Sequence, residues 1–127
     1  MKNGSRALRI GIASRDEIKA RTIAIARGEL KPKPGDPKVW FTSLESMAQV
    51  LNAKNLLLLE LIAQTRPASL TELAETSGRA KGNLSRTLRT LEHYGIVELK
   101  KGENGRLVPR VVYRAIKLDL PLLADAA

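Results

Sequence analysis

Arg79, Lys81, Asn83, Ser85, Arg86, Arg89 and Thr90 crowd the stretch 79–91, which contains no Asp or Glu. Guanidinium and ammonium groups pair with phosphates, while amides, hydroxyls and arginine forks bond base edges. The chemistry these residue types offer together is recognition of a polyanion. Catalysis is not expected: the chain shows no carboxylate pair, no nucleophile beside a base and no phosphate-cradling loop. Gly78-Arg79-Ala80-Lys81-Gly82 has the wrong spacing for such a loop and lacks the hydroxyl after the lysine.

A pair of helices must position these side chains. Ser69 and Glu72 have the spacing of a capping box, which predicts a helix starting at Leu70 with Leu70, Leu73 and Ala74 on one face. Gly78 stands where that helix must stop and the chain turn back. From there Ala80, Leu84, Leu88 and Leu91 recur at spacings of four, four and three, one buried stripe of a second helix over about 80–94. The polar residues fall on its remaining faces. The bland alternative is two amphipathic helices with a solvated basic face. The turn glycine, the small Ala74, the acid-free surface and the hairpin that follows together favour a helix-turn-helix whose second helix is basic.

Two patterns extend this reading. Ala74, Gly78 and Leu84 resemble the small, turn and apolar skeleton of helix-turn-helix proteins. Leu84 to Val97 resembles the recognition helix and first wing strand of MarR-like winged-helix regulators: Ser85-Arg86 sits mid-helix, and Leu91-Glu92-His93-Tyr94-Gly95-Ile96-Val97 closes the helix and enters the wing. The resemblance covers roughly residues 52–115, is strongest between 69 and 99, and departs at Ala80, where the family has a Ser or Thr cap. The whole chain is most similar to a small prokaryotic group of such regulators with a strand-helix extension. The resemblance implies an α+β winged helix-turn-helix and a sequence-specific double-stranded DNA-binding transcriptional regulator, a repressor acting as a homodimer. It places the 80–94 helix in the major groove and the wing at 102–106 on adjacent backbone or minor groove. Arg86 is the foremost candidate for a guanine contact.

Charge agrees with a polyanionic partner. The formal net charge is +9 and the pI about 10.3. Residues 1–39 carry a net +6, residues 40–78 a net −2 and residues 79–127 a net +5. The positive field therefore sits at the two ends, with near-neutral scaffolding between them. A membrane surface is the competing polyanion, but no helix combines a large apolar face with a lysine-rich flank. There is no cysteine and one histidine, which argues against disulfides, thiolate sites and transition-metal sites. No cofactor is expected. With neither a membrane-spanning run nor a signal-like start, a cytoplasmic location is expected.

The rest of the chain divides into an arm, 1–41, and the domain, 42–127. Leu8, Ile10 and Ile12 alternate with Arg9, Gly11 and Ala13, a short strand. Ser14 and Glu17 make another capping box, opening a helix to about Arg27 with Ile18, Thr22 and Ile25 on its apolar side. Three prolines between residues 32 and 37 exclude regular helix and leave a basic, extended connection. Val39-Trp40-Phe41 is one strand's worth, its aromatics core or interface anchors. Ser43 caps a helix over about 44–51 with Leu44, Met47 and Leu51 inward. Asn52 caps the next, 53–64, which is apolar nearly all round and so needs burial on every side, most easily in a dimer.

Ile96–Lys101 and Arg106–Tyr113 should form a hairpin around Asn104-Gly105, with Pro109 at an edge or bulge. Lys101 and Arg106 flank its tip and join the candidate DNA contacts, although Lys100 and Lys101 also suit a solvated turn. His93 reads as a solvated residue at a helix C-terminus. Ile116, Leu118 and Leu120 alternate as a last strand, which should pair with the first, within one chain or across a dimer. A second function class fits the same arm: an antitoxin that clasps an acidic toxin and regulates its own operon. A neighbouring gene for a small acidic or nuclease-like protein would favour it. A structural nucleoid protein, indifferent to sequence, is the third.

Overall fold

The computed structural model describes residues 6–123, so the outer ends of the 1–41 and 42–127 segments lie outside the described residues. The protein is α+β. Strand β1 (Ala7–Ile12), helix α1 (Arg15–Ala26) and strand β2 (Val39–Phe41) lead into helices α2 (Leu44–Val50), α3 (Ala53–Thr65), α4 (Leu70–Ser77) and α5 (Lys81–His93). A hairpin of β3 (Glu98–Lys101) and β4 (Leu107–Arg110) follows, then β5 (Ala115–Asp119).

The strands form two sheets. The first and last strands pair within the chain, Ala7 against Ala115 through Gly11 against Asp119, and they run parallel. Sequence reasoning left a third partner out: β2 pairs parallel with the other side of β1, Ile10 against Val39 and Ile12 against Phe41, giving the order β2-β1-β5. The parallel pairing requires crossovers, and α1 supplies the short one, between β1 and β2. Alternation decides the faces. Leu8, Ile10, Val39 and Phe41 are buried against the helices, while Gly11 lies under the Trp40 ring so closely that a methyl there would collide with it.

The helices start where their caps say. Ser14 and Ser43 each accept from the third residue of their helix, and Glu17 and Ser46 return the bond to the cap backbone. Asn52 caps α3 through the Asn55 N–H. At α4 the box is only half made: Ser69 Oγ accepts from the Glu72 N–H, but Glu72 Oε2 turns to the Ala68 N–H at 3.1 Å. Ala80 departs from its expected place in the buried stripe. It is the exposed N-cap residue of α5 and has no side-chain oxygen to accept with, so the helix begins at Lys81.

The core is one apolar cluster that joins the three-stranded sheet to the helices. Leu8, Ile10 and Phe41 meet Leu58, Ile62, Leu73, Leu84, Leu88 and Leu91 in it, together with Ile96 and Val97. Phe41 stacks on Tyr94 with ring centroids 4.5 Å apart, tying β2 to the end of α5. Three expectations of burial fail. Leu44 is exposed on α2. In α1 no residue is buried, with Ile18 half-covered and Thr22 and Ile25 exposed. Helix α3 buries Leu58, Leu59 and Ile62 but leaves Leu56 and Leu57 at 46% and 65% exposure, because a single chain covers only one side of it. The hairpin strands are shorter than expected, and the last strand begins and ends one residue earlier. Pro109 is buried opposite Leu99 in β4, tolerated because both strands of a two-stranded sheet are edges.

Candidate functional site

Helix α5 is the element that gathers the acid-free stretch. Leu84, Leu88 and Leu91 are fully buried along one stripe, each contributing about 1.5–3 kcal/mol of hydrophobic stabilisation. That burial fixes the helix rotation, so the other faces are set too. Lys81, Asn83, Arg86, Arg89 and Thr90 are exposed, and Ser85 is half-buried on a flank. Thr90 Oγ1 donates to the Arg86 carbonyl at 3.2 Å, leaving its lone pairs outward. The helix is entered through Gly78, whose φ of +76° is the left-handed conformation that ends α4 and turns the chain. It is closed by Gly95, at φ +78°, where the Ile96 N–H reaches the Leu91 carbonyl at 2.9 Å.

Arg79 behaves differently from the other cations. Its Nε and Nη2 donate to Asn83 Oδ1 at 3.1 and 2.9 Å, Nη2 also to Thr87 Oγ1 at 3.2 Å, and Nη1 to Asn55 Oδ1 at 3.4 Å. Asn55 in turn donates to the Val50 carbonyl at 2.8 Å. The guanidinium thus bolts the start of α5 to the start of α3. It brings Asn83, Arg86 and Thr90 beside Gln49 and Asn55 in a polar groove of about 230 Å³. Gln49, Asn55 and Thr87 escaped sequence reasoning. The signal for Asn55 was available, a polar residue at the head of an otherwise leucine-rich helix.

Lys101 and Arg106 lie outside that groove, exposed at the hairpin tip. The tip is a 3₁₀ turn, Glu103–Gly105, in which Asn104 and Gly105 both have positive φ. The Gly102 N–H closes it onto the Arg106 carbonyl at 2.6 Å. Behind the tip, Arg110 Nη1 donates to the Pro67 carbonyl at 2.7 Å, anchoring the hairpin to the loop before α4. His93 is exposed in the last turn of α5.

Charge is the clearest property of this surface. Among the described residues the only ion pairs are Arg21–Asp36 and Lys100–Glu98. Arg79, Lys81, Arg86, Arg89, Lys101 and Arg106 therefore form no ion pair with a carboxylate among the described residues. An array of unneutralised cations interleaved with amide and hydroxyl donors is chemically suited to bind an extended polyanion. No cluster of metal-binding side chains is found among the described residues. Nor is any described helix long and apolar enough to cross a membrane.

The family model HVO_A0114 matches residues 50–118, more than half of the chain. The protein belongs to that family. No curated protein and no solved structure matches it. The HVO_A0114 segment runs from the last residue of α2 into β5, so it contains α3 to α5, the hairpin and all the candidate contacts.

Proposed function

We propose that the protein is a sequence-specific double-stranded DNA-binding transcriptional regulator of winged helix-turn-helix type, MarR-like in its reading helix, acting as a repressor by occluding its operator. Helix α4, Gly78 and α5 are the helix-turn-helix, and the β3–β4 hairpin is the wing. One observation carries this reading: α5 is locked by three fully buried leucines and turns an acid-free face of exposed Lys81, Asn83, Arg86, Arg89 and Thr90 to solvent. A helix of this diameter fits the major groove, where those donors meet base edges, while Lys101 and Arg106 at the hairpin tip meet phosphate or the minor groove.

The repressor acts as a homodimer, which presents two reading helices to a palindromic site. Exposed Leu56 and Leu57 support the second copy. So does the open groove of about 810 Å³ lined by Leu56 together with Leu8, Leu59, Tyr113 and Ile116.

Fluorescence anisotropy on an operator duplex and on random duplex tests the reading. If about 6–10 phosphates are neutralised, affinity falls roughly 10³–10⁵-fold between about 50 and 200 mM salt. Arg86→Ala weakens the operator selectively, by ~1–3 kcal/mol. Arg106→Ala weakens both duplexes alike and lowers the salt slope. Equal losses on both duplexes for both variants would remove α5 as the sequence reader.

A further inference from the structure

Asparagine is ordinarily an ambidextrous reader of bases. Its amide accepts through Oδ1 and donates through Nδ2, which matches the adenine N6–H and N7 pair. Asn83 has lost half of that capacity. Its Oδ1 already accepts two N–H bonds from Arg79, at 3.1 and 2.9 Å. The direction of the amide follows from chemistry, since a guanidinium carries donors and no acceptor and only the oxygen can face it. Arg79 is itself held by Asn55 on α3 and Thr87 one turn along α5, so it is not free to swing away. What remains to the outside is the Nδ2 amino group, whose two hydrogens meet no acceptor among the described residues. It sits in the first turn of α5, exposed, the part of a reading helix that approaches base edges.

The geometry points to Asn83 as a donor-only base reader, with Arg79 as the residue that positions it, an assignment that rests on the DNA-reading function above. A donor-only amide favours a base that presents acceptors alone in the major groove. Guanine, with N7 and O6 side by side, fits best, and thymine O4 is the single-acceptor case. Adenine leaves its N6 amino group without an acceptor, and cytosine opposes donor with donor. The sequence code for an asparagine is thereby inverted by one neighbouring arginine. Arg79 adds its own unneutralised charge behind the amide, which strengthens the outward N–H groups as donors.

Selection from a random duplex library, run in parallel on wild type, Asn83→Ala, Arg79→Met and Asn83→Asp, decides the matter. Asn83→Ala flattens the preference at one position of the enriched site and so marks the base that Asn83 reads. Wild type selects guanine there, or thymine, and exchange for adenine weakens binding about tenfold. Arg79→Met releases Oδ1 and moves the preference to adenine. Asn83→Asp keeps the Arg79 contact as an ion pair, so its melting temperature holds while the guanine preference vanishes. Adenine or cytosine at the marked position in wild type, or no position that depends on Asn83, overturns the donor-only assignment and leaves DNA reading standing. Failure of wild type to enrich any duplex overturns DNA reading, and the assignment with it. If Arg79→Met does not fold, the wild-type base and the Asn83→Asp profile still decide.

Discussion

Helices α1 and α5 have 12 and 13 residues and are held in the protein by opposite means. Helix α5 is held along its length, by Leu84, Leu88 and Leu91, none of which reaches solvent. Helix α1 is held at its ends and by its edge. The Ser14–Glu17 box fixes its start, and Arg21 lies over the Trp40 ring at 5.6 Å while pairing with Asp36 at 3.1 Å. No side chain of α1 is buried. Burial along a stripe fixes a helix's rotation and so aims its outer face. Polar anchoring fixes where a helix lies but leaves it replaceable, which suits a crossover between two strands.

The sharpest way to break this contrast is to cut one methyl-bearing side chain from each helix. Leu88→Ala opens a cavity in the middle of the core and should lower the unfolding free energy by ~2–5 kcal/mol. Ile18→Ala, at a half-covered apolar position of α1, should cost less than about 1 kcal/mol. Urea unfolding of the two variants gives both numbers. Comparable losses would show that α1 shares the core after all.

A smaller change sharpens the same contrast. Ser14→Ala removes the oxygen that accepts the Glu17 N–H at 3.1 Å and, with it, the reciprocal box. The cost is ~0.5–2 kcal/mol of helix stability. Because nothing in α1 reaches the core, the loss should show as faster amide hydrogen exchange confined to α1, with α5 protection unchanged. Exchange that quickens equally in both helices would mean that α1 and the core open as one unit.

The two helices were also unequally legible. The caps at Ser14, Ser43, Asn52 and Ser69 were readable because a capping bond joins residues three apart, and the helix starts follow from them. Gly78 and the Leu84, Leu88, Leu91 stripe were readable for the same local reason. Burial on α1 was not. Ile18 and Ile25 look like an inward face, yet whether another element covers them depends on where the chain goes next. The parallel pairing of β1 with β2 was hidden in the same way, since each strand is short and the two are separated by α1 and the proline-rich connection. Within the candidate site, residue types on α5 were legible from periodicity. The Arg79 bridge to Asn55, 24 residues away, was not, because only the packing of α3 on α4 brings the two together.

Acid offers the mildest test of the contrast, because the anchors of α1 are carboxylates. Glu17 Oε1 accepts the Ser14 N–H at 2.8 Å, and this backbone bond, aided by the Ser14 hydroxyl, holds its carboxyl below the usual range. Asp36 is lowered likewise, first by the Lys33 N–H at 2.9 Å and then by Arg21. A folded-state pKa below the unfolded one stabilises the fold at pH above the unfolded carboxylate range, and the contribution is lost as pH falls through the folded value. Stabilisation from both groups is therefore complete at neutral pH and fades in acid. The stretch 79–91 contains no carboxylate to protonate, and its leucine stripe does not titrate. On lowering the pH from 7, amide exchange, corrected for its intrinsic pH dependence, should rise first in α1 and around the Lys33–Asp36 turn while α5 stays protected. Loss of protection in α5 before α1 would mean that an acid outside the arm governs the fold, and the division between a helix anchored by carboxylates and one held by buried leucines would fall.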